Sequence, residues 1–360
     1  MKKTTIIIPC AGKSSRYPTV RPKFLLVNPS GNLVLIDSIS KLNLKNCSLI
    51  VTILEEHNKK YGIEKMLKKI PNSPKISICI LDKPTKSQAE TVYKTIKLQK
   101  IDGPVFIKDC DNIFGLEQIE EKYNYVATLL LKNAGVINAS NKSYALNEGE
   151  FIKTIREKEV ISDTFCVGGY YFVKASDFIE TFEKLNNENP KMELYVSMII
   201  RFLIEKKGMK FKTKNVFEYL DLGTINEWLR FKSTIKTYLV DIDGVLVENS
   251  GEYSKPLWGK SKGIKENVKV IQKLYKLNNQ IILITSRKES YRETTIKQLK
   301  KLDIKFHQLI MNVYHSQRIL INDFSNSNPY PSALAINIPR DSKDLIKYLN
   351  LEKEWPSNER

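Results

Sequence analysis

Cysteine and histidine are scarce in this chain of 360 residues. The five cysteines are an odd number and include no Cys-x-x-Cys pair, and the three histidines stand singly along the sequence. A disulfide framework needs paired cysteines, and a zinc site needs closely spaced Cys or His ligands. We therefore expect a reducing compartment and, for any bound metal, a hard cation held by carboxylates.

Long apolar runs are also missing. A membrane-spanning helix needs about 18 or more consecutive apolar residues, whereas the first apolar run, Ile6–Ile8, is followed at once by Pro9 and a polar loop. Such a run is too short for the core of a signal peptide and is typical of a buried strand. The sequence predicts a cytoplasmic protein with no insertion into a membrane.

The formal net charge of +18 favours anionic partners such as nucleic acid or phosphate-rich substrates. The lysines are dispersed, however, and no basic run is interleaved with the aromatic residues that single-stranded nucleic acid binding uses. We interpret most of the charge as solvated helix surface and do not expect nucleic acid as a partner. The oligomeric state, a homo-oligomer included, stays open.

Strand-like and helix-like segments alternate along the whole chain, which predicts an α/β fold with a largely parallel sheet. Residues 145–173 instead predict antiparallel strands. The length allows two domains, and a fresh strand–helix cycle begins at Thr237. We expect two Rossmann-like domains, a mixed sheet over residues 1–233 and a small parallel sheet over residues 237–355.

A loop of small residues follows the first predicted strand and contains Ala11, Gly12 and Ser14. Small side chains allow backbone N–H groups to approach phosphate oxygens closely. Arg16 and Lys23 follow, and they add positive charge for a triphosphate and for the pyrophosphate that leaves. The loop therefore predicts a site for a nucleoside triphosphate.

The same loop also invites comparison with a P-loop, because Gly12-Lys13-Ser14 matches the end of that motif. A P-loop needs another glycine five residues before Gly12, and that position is Ile7, inside the predicted strand. The loop is thus too short to wrap phosphates as a P-loop does. This weakens the main alternative of another class, a nucleic-acid end-processing kinase and phosphatase.

Two acids stand where they can hold a magnesium ion. Asp111 closely follows the predicted strand Val105–Lys108, and Asp221 lies much later in a Leu-Asp-Leu-Gly-Thr segment. Together they can hold Mg²⁺ at the α-phosphate, the arrangement that phosphoryl-type transfer needs. Glu157, Lys158 and the strand around Gly169 lie between them.

These motifs resemble those of the sugar-1-phosphate nucleotidylyltransferases over about residues 3–231. The resemblance implies catalytic roles for Arg16 and Lys23 and a metal role for Asp111 and Asp221. It implies substrate-binding roles for Ala11, Gly12, Ser14, Gln88, Glu157, Lys158 and Gly169. Gln88 would read the base, and Glu157 and Lys158 would hold the sugar and its phosphate. A pyrimidine nucleotide is favoured, with CTP, UTP and dTTP left open.

A second motif, Asp241-Ile242-Asp243-Gly244, follows the apolar run Tyr238–Val240. Two carboxylates at the carboxyl end of a parallel strand face the edge where open α/β sheets bind ligands. Gly244 allows the chain to turn, so that Asp241 and Asp243 can face one site. One carboxylate can attack phosphorus and the other can shuttle a proton.

Two further predicted strands bring matching residues to the same edge. The strand before Thr285 ends in a hydroxyl that can hold a phosphoryl oxygen, and Arg287 follows it as a substrate-binding candidate. The apolar triplet Ile319–Ile321 is predicted as the third strand. Arg318 before it can neutralise phosphate charge, and Asp323 after it can bind Mg²⁺.

This second set resembles the haloacid dehalogenase (HAD) superfamily of phosphatases over about residues 237–351. The resemblance implies that Asp241, Asp243, Thr285 and Arg318 are catalytic and that Asp241, Asp243 and Asp323 bind the metal. Asp241 would form an aspartyl-phosphate and Asp243 would be the general acid and base. Arg318 is our candidate for the third motif, with Lys305 as the alternative. Only residues 245–264 are available as a cap, so we expect an open site.

The segment Asn328–Pro331, followed by the predicted strand Ala333–Ile338, resembles a subgroup of small phosphatases of bacterial capsule loci. The two resemblances together predict a bifunctional enzyme. It would join an NTP to a sugar or polyol phosphate and also hydrolyse a phosphomonoester for surface polysaccharide synthesis. The other alternative is a phosphatase that carries a non-catalytic sugar-nucleotide-binding module.

Overall fold

The computed structural model describes residues 3–12, 21–70, 74–135, 138–253, 256–322 and 333–351. The chain divides into two compact units, Met1–Phe231 and Lys232–Arg360, which we call unit 1 and unit 2. Both mix helices with strands, as the sequence predicts. Within the described ranges, no helix has the length and apolar character needed to cross a membrane.

The described residues of unit 1 form helices and a larger number of strands. The strands are β1 (Thr4–Cys10), β2 (Cys47–Leu54), β3 (Ile76–Leu81), β4 (Val105–Lys108), β5 (Asn112–Gly115), β6 (Asn124–Leu130), β7 (Ser143–Glu148), β8 (Phe151–Glu157), β9 (Thr164–Phe172), β10 (Phe211–Asn215) and β11 (Phe217–Asp221). The helices are α1 (Val34–Ile39), α2 (Glu55–Tyr61), α3 (Ile63–Lys69), α4 (Gln88–Leu98), α5 (Ala175–Glu188), α6 (Val196–Lys207) and α7 (Ile225–Thr234), which runs past the unit boundary.

Nine of these strands form one mixed sheet, in the order β10-β6-β9-β4-β1-β2-β3, with β7 and β8 attached through β9. Strands β4, β1, β2 and β3 are mutually parallel, whereas β9 runs antiparallel to both β4 and β6. Strands β5 and β11 pair antiparallel in a separate small ladder. The large mixed sheet that the sequence predicts is confirmed.

The first strand shows why the sheet lies at the centre of unit 1. Ile6 and Ile8 point into one apolar cluster, with Phe24 among its members, and Ile7 points into another, which includes Val92 of α4. Because successive side chains of a strand point to opposite faces, three consecutive isoleucines cover both faces with apolar surface. This burial holds the carboxyl end of β1, and the loop that follows it, at a defined place.

Unit 2 has a three-stranded parallel sheet in the order β12-β13-β14. Its elements are β12 (Thr237–Asp241), α8 (Lys265–Lys276), β13 (Gln280–Ile284), α9 (Arg292–Lys301), β14 (Gln308–Ile310) and α10 (Leu345–Tyr348). Asp241 pairs in register with Ile284, so β12 and β13 end at the same level. The residues that follow these two strands therefore meet at one edge.

The predicted third strand of unit 2 is wrong. Residues 319–321 are not in a strand, and the side chains of Ile319, Leu320 and Ile321 are 78%, 57% and 88% exposed. The third strand is β14, which pairs with β13. Residues 333–338 also form no strand. A short apolar run does not specify which sheet edge it joins, and here β14 takes the place beside β13.

Candidate active sites

A cavity of about 900 Å³ opens at the carboxyl edge of the parallel strands of unit 1. The ends of β1 and β4, the start of α4 and the open end of the β7–β8 hairpin contribute to its lining. Because β1 and β4 are parallel neighbours, Gly12 and Asp111, which follow them, reach the same cavity. Ligands bind at this edge in open α/β sheets.

Asp111 and Asp221 converge in this cavity, although they are distant in sequence. Asp221 ends β11 and pairs with Asn112 of β5, and the N–H of Leu222 donates to the carbonyl of Asp111 at 2.8 Å. A Cβ placed on Gly223 would lie 3.1 Å from Oδ1 of Asp221 and 3.5 Å from Oδ2 of Asp111. Both carboxylates thus face one point, as the sequence predicts for a shared ion.

The loop that carries Asp221 is anchored to the start of α7. The Thr224 N–H donates to Oε2 of Glu227 at 2.8 Å, and the Glu227 N–H donates to Oγ1 of Thr224 at 3.3 Å. This is a capping box, in which two otherwise unpaired helix N–H groups are satisfied reciprocally. The spacing of Thr224 and Glu227 in the sequence therefore positions the metal candidate three residues earlier.

Each of the two aspartates is paired with a lysine. Lys23, which the sequence predicts for the triphosphate site, forms an ion pair with Asp111. Lys142 forms an ion pair with Asp221, and its ammonium also donates to the Tyr219 hydroxyl at 2.9 Å. Sequence reasoning missed Lys142, because a lysine next to an ordinary strand start has no motif around it.

A buried charged group underlies the Asp111 loop. The ammonium of Lys108 is fully buried and donates to the carbonyls of Asp109 and Asn112 at 2.7 and 2.8 Å. Burial lowers the pKa of Lys108 to about 8. Burial, and next the charge of Asp111, raise the pKa of Asp109 to about 7. Gln88, the predicted base reader, donates through its side-chain amide to Asp109.

The predicted sugar-binding residues also line the cavity. The carboxylate of Glu157 accepts from the hydroxyls of Ser143 and Ser197, the latter at 2.5 Å. The ammonium of Lys158 donates to the Tyr195 hydroxyl at 3.1 Å, and this bond raises the pKa of Lys158. Both predicted residues line the cavity, and the three hydroxyl partners were not predicted.

Two of the predicted substrate-binding residues do not line the cavity. Ala11 is fully buried in a cluster with Leu54 and Leu81, so its side chain belongs to the core. Gly169 lies in β9, where an added Cβ would be 2.8 Å from the Cβ of Ala127. The side-chain positions of both residues are occupied by packing, so their predicted contacts with substrate stay predictions that only backbone atoms could fulfil. Ser14 and Arg16 lie outside the described residues.

The residues present fit a bound magnesium ion in unit 1. Mg²⁺ prefers oxygen ligands and is usually held by one or two carboxylates together with substrate phosphates. Asp111 and Asp221 offer two such carboxylates facing one point, with Lys23 and Lys142 as counter-ions. In the described ranges, no group of three or more His, Cys, Asp or Glu residues forms a complete protein cage. Substrate oxygens would complete the coordination.

In unit 2, Asp241 lies at the end of β12 with its side chain one-third exposed. Its Oδ2 is 3.2 Å from Nη1 of Arg318. Lys305, the alternative to Arg318, lines a separate small cavity together with Tyr275 and Asp303. Arg318 is thus the candidate that the structure brings to Asp241. Asp323 lies outside the described residues, as does the segment 328–331.

Asp243 is held by a buried arginine. Nε and Nη2 of Arg287 each donate to a different oxygen of Asp243 at 2.9 Å, and Ser250 Oγ donates to Oδ1 at 3.1 Å. The third nitrogen of Arg287 donates to Thr295 and Gln298. The side chain of Arg287 has no exposed surface. Its predicted role in substrate binding is corrected, because all three nitrogens are used inside the protein.

Thr285 stands where the sequence predicts, directly after β13. Its hydroxyl lies 3.4 Å from Oδ2 of Asp243 and accepts from the Arg287 N–H at 3.2 Å. The two carboxylate oxygens of Asp243 therefore accept hydrogen bonds from Arg287, Ser250 and Thr285. These contacts fix the orientation of the carboxylate, and its predicted roles in proton transfer and metal binding stay predictions. Ser250 was not predicted, because it lies in the loop after the motif.

Comparison with known proteins places the fold of unit 1. No family model matches the chain, and no curated protein matches it. A nucleoside-diphosphate-sugar pyrophosphorylase from Vibrio cholerae RC9 is similar in structure, with a TM-score of 0.53, 21% identity, and coverage of 63% of this chain and 99% of that one. A UDP-glucose pyrophosphorylase solved with UDP-glucose has a TM-score of 0.50 at 16% identity, over 65% of this chain and 98% of that one. At these identities the likeness shows a shared fold.

Proposed function

We propose that the chain is a bifunctional enzyme of activated-sugar supply in the cytoplasm. Unit 1 transfers a nucleotidyl group from an NTP to a sugar or polyol phosphate and releases pyrophosphate. Unit 2 hydrolyses a phosphomonoester through an aspartyl-phosphate. The observation that supports the transferase most strongly is the convergence of Asp111 and Asp221, each with a lysine, in a cavity at the carboxyl edge of the sheet.

The transferase reaction needs positioning and charge neutralisation more than covalent chemistry. The phosphate of the acceptor attacks the α-phosphorus of the NTP, a P–O bond forms, and the bond to pyrophosphate breaks. Lys23 lines the same cavity as Gly12 and is ion-paired with Asp111, so it can stabilise negative charge on the leaving pyrophosphate. A magnesium ion held by Asp111 and Asp221 would neutralise charge on the α-phosphate.

The acceptor is held by the part of the cavity that Glu157 and Lys158 line. Glu157 is oriented by two serine hydroxyls, so that its carboxylate can accept hydrogen bonds from sugar or polyol hydroxyls. Lys158 lies next to it and carries the positive charge that a phosphate requires. Fold likeness to a nucleoside-diphosphate-sugar pyrophosphorylase agrees with this class of substrate.

The transferase proposal is tested by following pyrophosphate. The purified full chain is incubated with Mg²⁺, each of CTP, UTP, dTTP, ATP and GTP, and a panel of sugar and polyol phosphates. We expect pyrophosphate release with at least one pair, and a pyrimidine nucleotide as the preferred donor. If no pair releases pyrophosphate, the proposed transferase activity is wrong.

The phosphatase proposal rests on the arrangement of four side chains in unit 2. Asp241 is accessible for attack on phosphorus, Arg318 lies against it to neutralise phosphate charge, and Thr285 stands at the neighbouring strand end. Asp243, oriented by Arg287, gives a proton to the leaving alcohol and then takes a proton from the water that hydrolyses the aspartyl-phosphate. Release of inorganic phosphate from the same panel of phosphomonoesters tests it, and a chelator should abolish that release. Metal-independent phosphate release would contradict this mechanism.

Both activities in one chain suit a route in which a phosphate is removed close to the activation step. Supply of precursors for a surface polysaccharide is the setting that the sequence resemblance suggests. A coupled assay decides whether the product of one unit is a substrate of the other. If neither product is accepted by the other unit, the two activities serve separate reactions.

A further inference from the structure

Lys142 occupies a special position in the cavity of unit 1. It directly precedes β7, forms an ion pair with Asp221 and donates to the Tyr219 hydroxyl at 2.9 Å. Its carbonyl accepts a hydrogen bond from the N–H of Lys158 at 3.0 Å. Lys142 therefore stands between the metal acids and the residues placed to hold the acceptor.

The neighbouring residues on the hairpin continue the same arrangement. Ser143 follows Lys142 and donates to Glu157, with which it pairs in register. Lys158 follows Glu157 with a left-handed backbone, φ +57°, and turns towards Tyr195. The open end of this hairpin thus carries two cations close to Glu157. Lys142 faces Asp221, and Lys158 faces Tyr195.

The charges of the cavity show why the pairing of Lys142 is suited to change. Lys23 pairs with Asp111 and Lys142 pairs with Asp221. A divalent cation held by both aspartates would leave Lys142 beside a doubly positive ion. The ammonium of Lys142 and the cation would repel each other strongly, because the site is partly buried. An anion arriving next to Lys142 removes that repulsion.

We propose that Lys142 is a substrate-binding residue that acts as an exchangeable counter-ion. It holds Asp221 in the ligand-free protein and leaves Asp221 for the phosphate of the acceptor once a divalent cation is bound. The inference rests on the proposed transferase function and adds to it a residue that couples metal binding to acceptor binding. Lys142 and Lys158 would then hold the attacking phosphate from two sides.

The test compares four full-length proteins, the wild type, Lys142→Met, Lys142→Arg and Lys212→Met. Lys212 is a matched control, because it is also an ion-paired lysine of unit 1, on Glu150 at 2.8 Å, and does not line the cavity. Two quantities are measured, the affinity of the substrate-free protein for Mn²⁺ by electron paramagnetic resonance and the KM values for acceptor and NTP. Thermal denaturation checks that each variant is folded.

The proposal expects opposite changes in the two quantities. In Lys142→Met, Mn²⁺ should bind several-fold more tightly, because the competing ammonium is gone, and this gain should vanish when Asp221→Asn is added. The KM for the acceptor should rise about 10- to 100-fold, the size of one charge-assisted hydrogen bond, with the KM for NTP nearly unchanged. Lys142→Arg should recover part of the acceptor affinity, and Lys212→Met should match the wild type.

The failures of the two proposals are distinct. If the wild type releases no pyrophosphate with any substrate pair, the transferase function itself is wrong. If the wild type is active but Lys142→Met binds Mn²⁺ no more tightly, or keeps its acceptor KM, the exchange is wrong and the transferase function stands. If Lys142→Met does not fold, Lys142→Gln, which can still donate to Tyr219, takes its place in both measurements. A Lys142→Arg variant as impaired as Lys142→Met in acceptor binding would also contradict the exchange.

Discussion

Arg287 grips Asp243 through two parallel hydrogen bonds, Nε to Oδ2 and Nη2 to Oδ1, both 2.9 Å long. The side chain of the arginine is fully buried, and that of the aspartate is 14% exposed. Such a bidentate pair fixes both the position and the orientation of a carboxylate. Arg287 is therefore a positioning residue for the proton-transferring group proposed for unit 2.

Replacing Arg287 should impair the phosphatase and spare the transferase. Arg287→Lys keeps the charge but loses the parallel bonds, so we expect phosphate release to fall at least about tenfold. Arg287→Met leaves Asp243 without its partner and should also destabilise unit 2 by about 3–5 kcal/mol. Steady-state kcat for both reactions and thermal denaturation measure these effects. The control is Arg292→Lys, which changes the exposed ion pair with Glu289. If Arg292→Lys lowers phosphate release as much as Arg287→Lys does, the assignment of Arg287 as a positioning residue is wrong.

Asp241→Asn separates the two proposed activities. The amide cannot attack phosphorus, so phosphate release should disappear, whereas pyrophosphate release should stay at the wild-type rate. The exposed Asp303→Asn, in the same unit, serves as the control for a general effect of losing a carboxylate. If both activities of Asp241→Asn fall together, the two-site description is incorrect.

Asp221→Ala makes the opposite separation. Loss of one of the two acids that face the proposed metal position should reduce pyrophosphate release by about 10²-fold or more, as removal of other transition-state contacts does. Phosphate release should not change. Glu218→Gln, an exposed change on the same strand β11, is the matched control. A transferase that is indifferent to Asp221→Ala would favour a unit 1 that only binds sugar nucleotides.

Asp109 should make the stability of unit 1 depend on pH. Burial raises the pKa of this carboxyl to about 7 from an ordinary value of 3.8, so the folded chain binds the proton more tightly than the unfolded chain. The resulting stabilisation is complete below about pH 4 and is lost as the pH rises through 7. Relative to Asp109→Asn, the wild type should therefore lose at least ~1 kcal/mol between pH 5 and pH 8.

This pH effect is measured by urea denaturation of both proteins in the presence of a chelator. Asp109→Asn retains an oxygen that can accept from Gln88, so the hydrogen bond itself is preserved. The exposed Asp82→Asn is the control for the loss of a surface carboxylate. A difference between wild type and Asp109→Asn that is constant from pH 5 to pH 8 would refute the prediction.

Gly169→Ala tests whether this glycine is needed for packing. An added Cβ would lie 2.8 Å from the Cβ of Ala127 and 2.9 Å from the ring of Phe114. We expect a loss of about 1–3 kcal/mol of stability, the usual cost of overpacking, with unchanged KM values at a permissive temperature. Gly135→Ala, where no atom of the described residues beyond its chain neighbours lies within 4 Å of the new Cβ, should be neutral. A raised substrate KM without a loss of stability would instead return Gly169 to the binding site.

The sequence predicted the parts of the fold that periodic apolar patterns specify. Strand β4 has the predicted bounds, Val105–Lys108, because it is a run with clear ends. Strands β5, β10 and β11 were missed. Asn112–Gly115 and Phe217–Asp221 are short segments that become strands only by pairing with each other. The triplet 319–321 failed for the converse reason, since apolar character without a partner edge makes no strand.

The candidate sites divide in the same way. By itself, the sequence determined which residue types follow the predicted strand ends, so it gave Asp111, Asp241, Asp243 and Thr285 as candidates. The Leu-Asp-Leu-Gly-Thr segment gave Asp221 as a further candidate. Parallel strands end at a common edge, and that rule needs no coordinates. The sequence could not assign Arg287 correctly. Its position in the motif, close to Thr285, suggests a phosphate ligand, but in the structure its side chain is buried against Asp243.

Only the tertiary structure decided which charges meet. Lys142 and Asp221 are 79 positions apart, one directly before β7 and the other at the end of β11, and no spacing rule links them. Their pairing depends on the β7–β8 hairpin and the β5–β11 ladder arriving at one cavity. Local pattern determines the elements and their ends, because it depends on neighbours in sequence. Ion pairs across a site depend on packing between distant elements, which the fold alone brings together.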